Sequence, residues 1–196
     1  MQSRLLGIDP GTRVVGWAVL ENRPDGNPRR IASGSWNLGD SKTPVPNRLL
    51  NLREHLAAVV REHGPEQLAL EAAFFGKNAH SALRIGEARG VVMMTCAEAG
   101  LNVLELPPAV VKRRIAGAGA ATKEQIARLV TLRLGLPEDS TFSTFDESDA
   151  LAVAMCGLDL HARAEVLPDL KSKTSGRTKS GLPPGATASG GRSAVR

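Results

Sequence analysis

The chain's 196 residues suffice for one domain with a sizeable core, and no apolar run approaches the ~20 residues of a membrane span. Met1-Gln2-Ser3-Arg4 runs straight into a strand without a signal-peptide apolar region, so a cytoplasmic protein away from membranes is expected. The formal charge of +5 comes from the end of the chain: residues 171–196 hold six bases and no acid, leaving 19 bases against 20 acids over residues 1–170.

In chain order, Leu5–Ile8 reads as a buried strand that closes at Asp9, and Asp9-Pro10-Gly11-Thr12 as a turn. Val14–Leu20 and Arg30–Leu38 read as two further strands around the turn Pro24–Pro28, making an antiparallel meander. Pro46–His63 is expected to be an amphipathic helix, with Leu49, Leu52, Leu56, Val59 and Val60 on one face and Gly64-Pro65 ending it. Gln67–Leu70 is a fourth strand, closed by Glu71, and a long helix is expected over 79–98. Asn102–Leu106 is a fifth strand, stopped by Pro107-Pro108, and helices over 122–134 and 146–164 complete the domain. Strands alternating with helices imply an α/β fold, a mixed five-stranded sheet flanked by helices. The domain spans 1–168. From 169 to 196 the Gly, Ser, Pro, Lys and Arg content predicts a disordered basic tail. Cys96 and Cys156 fall in apolar helical stretches and are expected reduced and buried. Trp17 and Trp36 are expected in the core, and the four histidines show no metal-site spacing.

Three acidic motifs stand out. Asp9 at a strand end before Pro10-Gly11-Thr12 reads as a metal ligand of a nuclease, as part of an actin-type phosphate hairpin, or as a turn-stabilising Asp. Glu71 closes a buried strand, where it can bind metal or pair with an Arg on a helix. Asp146 and Asp149 are three apart and share a helix face, able to hold one metal or simply to favour the helix macrodipole. Four carboxylates converging on one spot repel one another, and divalent cations relieve that repulsion; hard oxygen ligands suit magnesium or manganese. An actin-like ATPase needs further phosphate and adenosine motifs that are missing here. The combination points to a metal-dependent enzyme acting on phosphates.

The chain resembles the RuvC family of Holliday junction resolvases, which have an RNase H-like fold. The matching stretches are Gly7-Ile8-Asp9-Pro10-Gly11, Leu70-Glu71 through Phe74, Lys77-Asn78-Ala79 and Ser81-Ala82-Leu83. Gly86-Glu87-Ala88-Arg89-Gly90, Val111-Lys112, Thr122-Lys123 and Asp149-Ala150-Leu151-Ala152 follow in family order. The resemblance implies that Asp9, Glu71, Asp146 and Asp149 are catalytic and bind Mg²⁺ or Mn²⁺, two per subunit. Some relatives carry His where this chain has Asp146, so its set is all-carboxylate. Lys112 and Lys123 match lysines near the scissile phosphate, and Phe74 matches the aromatic inserted at the junction crossover, with Phe75 packing beneath. Lys77, Arg84, Arg113 and Arg114 complete an expected DNA-binding set, since clustered cations neutralise phosphates and release counterions. Gly117-Ala118-Gly119-Ala120 resembles a flexible loop that approaches phosphate. The implied substrate is a four-way DNA junction, cut by a homodimer through paired nicks leaving 5′-phosphate and 3′-hydroxyl ends, with RuvA and RuvB as partners. The 79–98 helix, with Gly86 and Gly90, is the expected dimer face. The alternative is another RNase H-like nuclease, acting on RNA–DNA hybrids or as a YqgF-type RNA-processing enzyme.

Overall fold

Period-two alternation sorts the strand residues onto two faces of one sheet. Strands β1 (Arg4–Asp9), β2 (Val14–Asn22) and β3 (Pro28–Asn37) form an antiparallel meander; β4 (Gln67–Glu71) and β5 (Asn102–Leu106) extend it in parallel, in the order β3-β2-β1-β4-β5. In this computed structural model the described residues are 3–72, 79–117, 119, 121–137, 140 and 142–166. The tail expected over 169–196 therefore lies outside the described residues, as do Phe74, Phe75 and Lys77.

One face buries Leu6, Ile8, Val15, Val19, Trp36, Leu68 and Leu70 under helices α1 (Val45–His63) and α2 (Ala79–Glu98). Trp17 joins this cluster partly buried, its ring stacked on Trp36 at 5.4 Å. The opposite face buries Leu5, Ala18, Leu20 and Ala69 under α5 (Phe145–Val166), with α3 (Pro108–Ala116) and α4 (Lys123–Arg133) beside it. Ala150–Leu158 is apolar all round because this stretch of α5 is buried on every side, and Leu151, Met155 and Leu158 are fully buried. Each such side chain contributes about 1.5–3 kcal/mol of burial.

Small residues let α5 lie directly on the sheet. A Cβ on Gly7 would come within 2.6 Å of Ala154, and one on Gly157 within 2.8 Å of Ala69. Cys96 and Cys156 are free, buried and in opposite core clusters, so the sheet separates them; burial pushes their thiols up to about 12 and about 11.

The expected elements are present with modest shifts at their ends, such as β3 starting at Pro28 rather than Arg30 and α1 at Val45 rather than Pro46. One element differs. Pro107-Pro108 stops β5 as expected but also starts a helix, α3. Proline is tolerated in the first helical turn, where its missing N–H has no partner to lose. Val111 and Ile115, one turn apart, bury the inner side of this helix. Among the described residues no helix is long and apolar enough to cross a membrane.

Candidate active site

The parallel register of β1 and β4 pairs Ile8 with Leu70, so the next residues, Asp9 and Glu71, emerge side by side at the carboxyl ends of the two central strands. The two carboxyl groups are close enough for Glu71 to raise Asp9. On the far side of Asp9 its partner in β2 is Gly16. The first turn of α5 passes over that glycine: a Cβ there would stand 1.8 Å from the Asp146 carbonyl oxygen. Asp146 and Asp149, three apart, thus reach the same end of the sheet as Asp9 and Glu71.

Two flanking helices bring cations. Thr122 caps α4 through a reciprocal pair: its hydroxyl accepts from the Gln125 N–H, and the Gln125 side chain accepts from the Thr122 N–H. That places Lys123 in the first turn, where its Nζ donates to Asp149 Oδ2 at 2.7 Å. Helix α3 supplies Lys112. Asp9, Glu71, Asp149, Lys112 and Lys123 line one cleft of about 350 Å³. Asp146 is not among the lining residues, yet its charge acts on Asp9. A larger hollow, about 630 Å³, lies against α4, Ser140, residues 142–145 and Ser148; among the described residues no carboxylate lines it.

Burial, first, and then the nearby charges of Glu71, Asp149 and Asp146 push the Asp9 carboxyl up to about 8. Burial also raises Glu71, opposed by its bond to Asp9 and by Lys123 and Lys112. Burial works against the Lys123 ammonium, but the Asp149 bond and the Asp149, Asp9 and Asp146 charges raise it overall. The cluster is therefore an excess of negative charge, partly offset by Lys123 and Lys112. Among the described residues no three acidic, histidine or cysteine side chains are already closed around a single point. The donors are nevertheless all hard oxygens, and their mutual repulsion is what a divalent cation removes, so the set suits magnesium or manganese in kind.

The family profile described as "Crossover junction endodeoxyribonuclease RuvC" matches residues 5–157. The chain belongs to the RuvC family. Proteins named crossover junction endodeoxyribonuclease RuvC share 42% identity with it in Chloroflexus aggregans (78% of this chain, 91% of the relative) and in Sorangium cellulosum (84% and 89%). T. thermophilus RuvC in complex with a Holliday junction substrate superposes with a TM-score of 0.74 at 30% identity, covering 83% of this chain and 96% of that one. The shared five-stranded mixed sheet bears out the expected RNase H-like fold.

In this RuvC-family chain the remaining expected DNA residues are dispersed. Arg113 and Arg114 sit on the last turn of α3, outside the cleft lining, and Arg114 lies close enough to act on Cys156 of α5. Arg84 pairs with Glu87 on its own helix at 2.9 Å and lines a crevice with Gly11, Thr12 and Arg48 on the other side of the Asp9 turn. Gly117 has φ +71° and forms the left-handed C-cap of α3, so its glycine is explained by helix termination. A Cβ at Gly119 would meet nothing within 4 Å, and Ala118 and Ala120 lie outside the described residues.

Sequence reasoning missed two buried charged residues at the site. Arg89 of α2 donates to the Glu71 backbone carbonyl and pairs with Glu105 of β5, tying down the end of β4. Its place inside the stretch Gly86 to Gly90 was the available signal. Glu147 stands between the two α5 acids and faces away from the cleft, toward β3.

Proposed function

We propose that this chain is a divalent-metal-dependent endonuclease that resolves four-way DNA junctions. The observation that carries the reading is the single cleft that gathers Asp9, Glu71 and Asp149 with Lys112 and Lys123, Asp146 acting on it, in a RuvC-family chain. Asp9, Glu71, Asp146 and Asp149 would hold Mg²⁺ or Mn²⁺, two per subunit. A bound divalent cation supplies Lewis-acid charge to the scissile phosphate and makes water a competent nucleophile near neutral pH. The chain's own contribution is to place the carboxylates and to hold cations where phosphate charge develops. Lys123 serves as Asp149's partner, and a phosphate oxygen is an alternative acceptor for its ammonium. Lys112 stands in the same cleft, while Arg113, Arg114, Arg84 and, from sequence, Lys77 act on more distant phosphates. Phe74 is assigned to stacking at the crossover, from sequence alone. In-line attack by water leaves a 5′-phosphate and a 3′-hydroxyl.

Paired nicks require two sites, supplied by a homodimer through α2. Side chains built on Gly86 and Gly90 would meet nothing among the described residues within 4 Å beyond the helix's own backbone, and Leu83 and Met94 of the same helix are 60% and 48% exposed. Among the described residues that face does not pack on the sheet. Partnership with RuvA and RuvB branch-migration proteins rests on family membership.

A strand-labelled four-way junction incubated with and without Mg²⁺ or Mn²⁺, beside an RNA–DNA hybrid, tests the proposal. Metal-dependent, symmetric nicks in two strands of like polarity are expected, lost in Asp9→Asn, Glu71→Gln, Asp146→Asn and Asp149→Asn while junction binding survives. A hybrid cut faster than the junction would instead favour the RNA-directed reading.

A further inference from the structure

Glu147 is buried to 6% exposure between Asp146 and Asp149, and its carboxylate has no cation among the described residues. The contrast is Glu21, also buried, which is held by the guanidinium groups of Arg4 and Arg29. Among the described residues Glu147 is held by neutral donors. Ser33 Oγ of β3 donates to Oε1 at 2.7 Å; the Ser143 N–H and Oγ donate to Oε2 at 2.8 and 2.7 Å. In return the Glu147 N–H donates to Thr144 Oγ1 at 3.2 Å, so the start of α5 is capped in both directions. A buried carboxylate without a cation is costly, and an apolar residue would fill the space more cheaply. What the charge adds is three short, directional hydrogen bonds to two other parts of the fold.

Those bonds fix how α5 is turned about its axis. Successive helix residues project ~100° apart, so one residue of rotation would carry Asp149 off the cleft and turn Asp146 away from Asp9. Gly16 fixes the height of the same turn, since the Asp146 carbonyl rests where its Cβ would be. We propose that Glu147 is a positioning residue for the metal-binding acids. Clamped by Ser33 and Ser143, it locks the rotation of α5 over Gly16, so that Asp146 and Asp149 face Asp9 and Glu71. This rests on the metal-site reading above and adds a residue that touches neither metal nor DNA.

The test uses the full-length protein. Calorimetric titration with Mn²⁺, without DNA, compares wild type, Glu147→Gln, Ser33→Ala and Ser33→Thr. Glu147→Gln keeps the volume but loses the charge and turns an amide toward donors. It should weaken Mn²⁺ binding roughly 10–100-fold, the range for residues that orient metal ligands. Junction turnover at fixed Mn²⁺ should fall with it, while metal-free junction binding stays within about twofold of wild type, because no phosphate contact is lost. Ser33→Ala should shift the Mn²⁺ titration in the same direction by less, and Ser33→Thr, which keeps the hydroxyl, should restore it. If Glu147→Gln does not fold, the Ser33 pair decides alone. Unchanged Mn²⁺ affinity with a lowered melting temperature would overturn the proposal and leave Glu147 a stability residue. Weakened Mn²⁺ binding in a protein whose wild type cuts no junction would keep the positioning role and reject the junction reading instead.

Discussion

Replacing Asp9 with Asn removes a charge disfavoured by burial and by the other three acids. In the protein without metal the Asp9 carboxyl is pushed from 3.8 up to about 8, chiefly by burial and by Glu71. Between those values the folded protein keeps a proton that the unfolded chain has lost. For an acid raised on folding, stability is fully present below the unfolded value and drains away as pH rises through the folded one. One such proton corresponds to about 1.4 kcal/mol per pH unit. From pH 5 to pH 8 the loss is then at most ~4 kcal/mol, a large share of a total stability of ~5–15 kcal/mol. Glu71 is raised too and pushes in the same direction. Asp9→Asn removes one charge at nearly constant volume. Near pH 4 the variant should match wild type; at pH 8 it should be more stable by ~1–3 kcal/mol. Urea unfolding in chelator at four pH values measures this. Added Mn²⁺ should reverse the order, stabilising wild type increasingly as pH rises and the variant little, since only a protein that binds the ion in its folded state gains from it. Parallel pH dependences of wild type and Asp9→Asn in chelator would refute the placement of Asp9 among the other acids.

Gly16→Ala should cost ~1–3 kcal/mol in denaturant unfolding and depress cleavage, because its methyl displaces the Asp146 backbone; a silent variant would show that α5 can lift without consequence. Lys112→Ala and Lys123→Ala should slow single-turnover cleavage more than they weaken junction binding, whereas Arg113→Ala and Arg114→Ala should mainly weaken binding and lower its salt slope, as their places inside and outside the cleft require. Equal small effects from all four would mark them as ordinary surface cations. Deleting residues 171–196 should remove six positive charges and nonspecific DNA affinity while leaving metal-dependent cleavage at low salt; loss of cleavage by a folded truncation would place the tail in the active assembly.

The parts of the site that sequence made legible are those with a local signature. Asp9 and Glu71 interrupt apolar strand runs at their ends, and Asp146 and Asp149 show a helical spacing, so each could be read from its own neighbourhood. That Asp9 and Glu71 adjoin depends on β1 pairing with β4, which the register settles. Helix α3 is hidden in sequence because Pro107-Pro108 signals the end of β5 and the start of a helix in the same two residues. Lys112 was therefore found as a motif residue without the element that aims it. Glu147 was hidden for a different reason. An acid in the first turn of a helix is already explained by the macrodipole, so nothing in Asp146-Glu147-Ser148-Asp149 distinguishes the middle acid from its neighbours. Its distinction comes from Ser33, 114 residues away, and from Gly16, whose missing side chain matters only once α5 lies across it. The acids proposed to bind metal carry charge at a strand or helix end and so leave a mark in sequence. The groups proposed to hold them in place act through contacts the fold creates, and a serine, a glycine and a glutamate look ordinary where they stand in the chain.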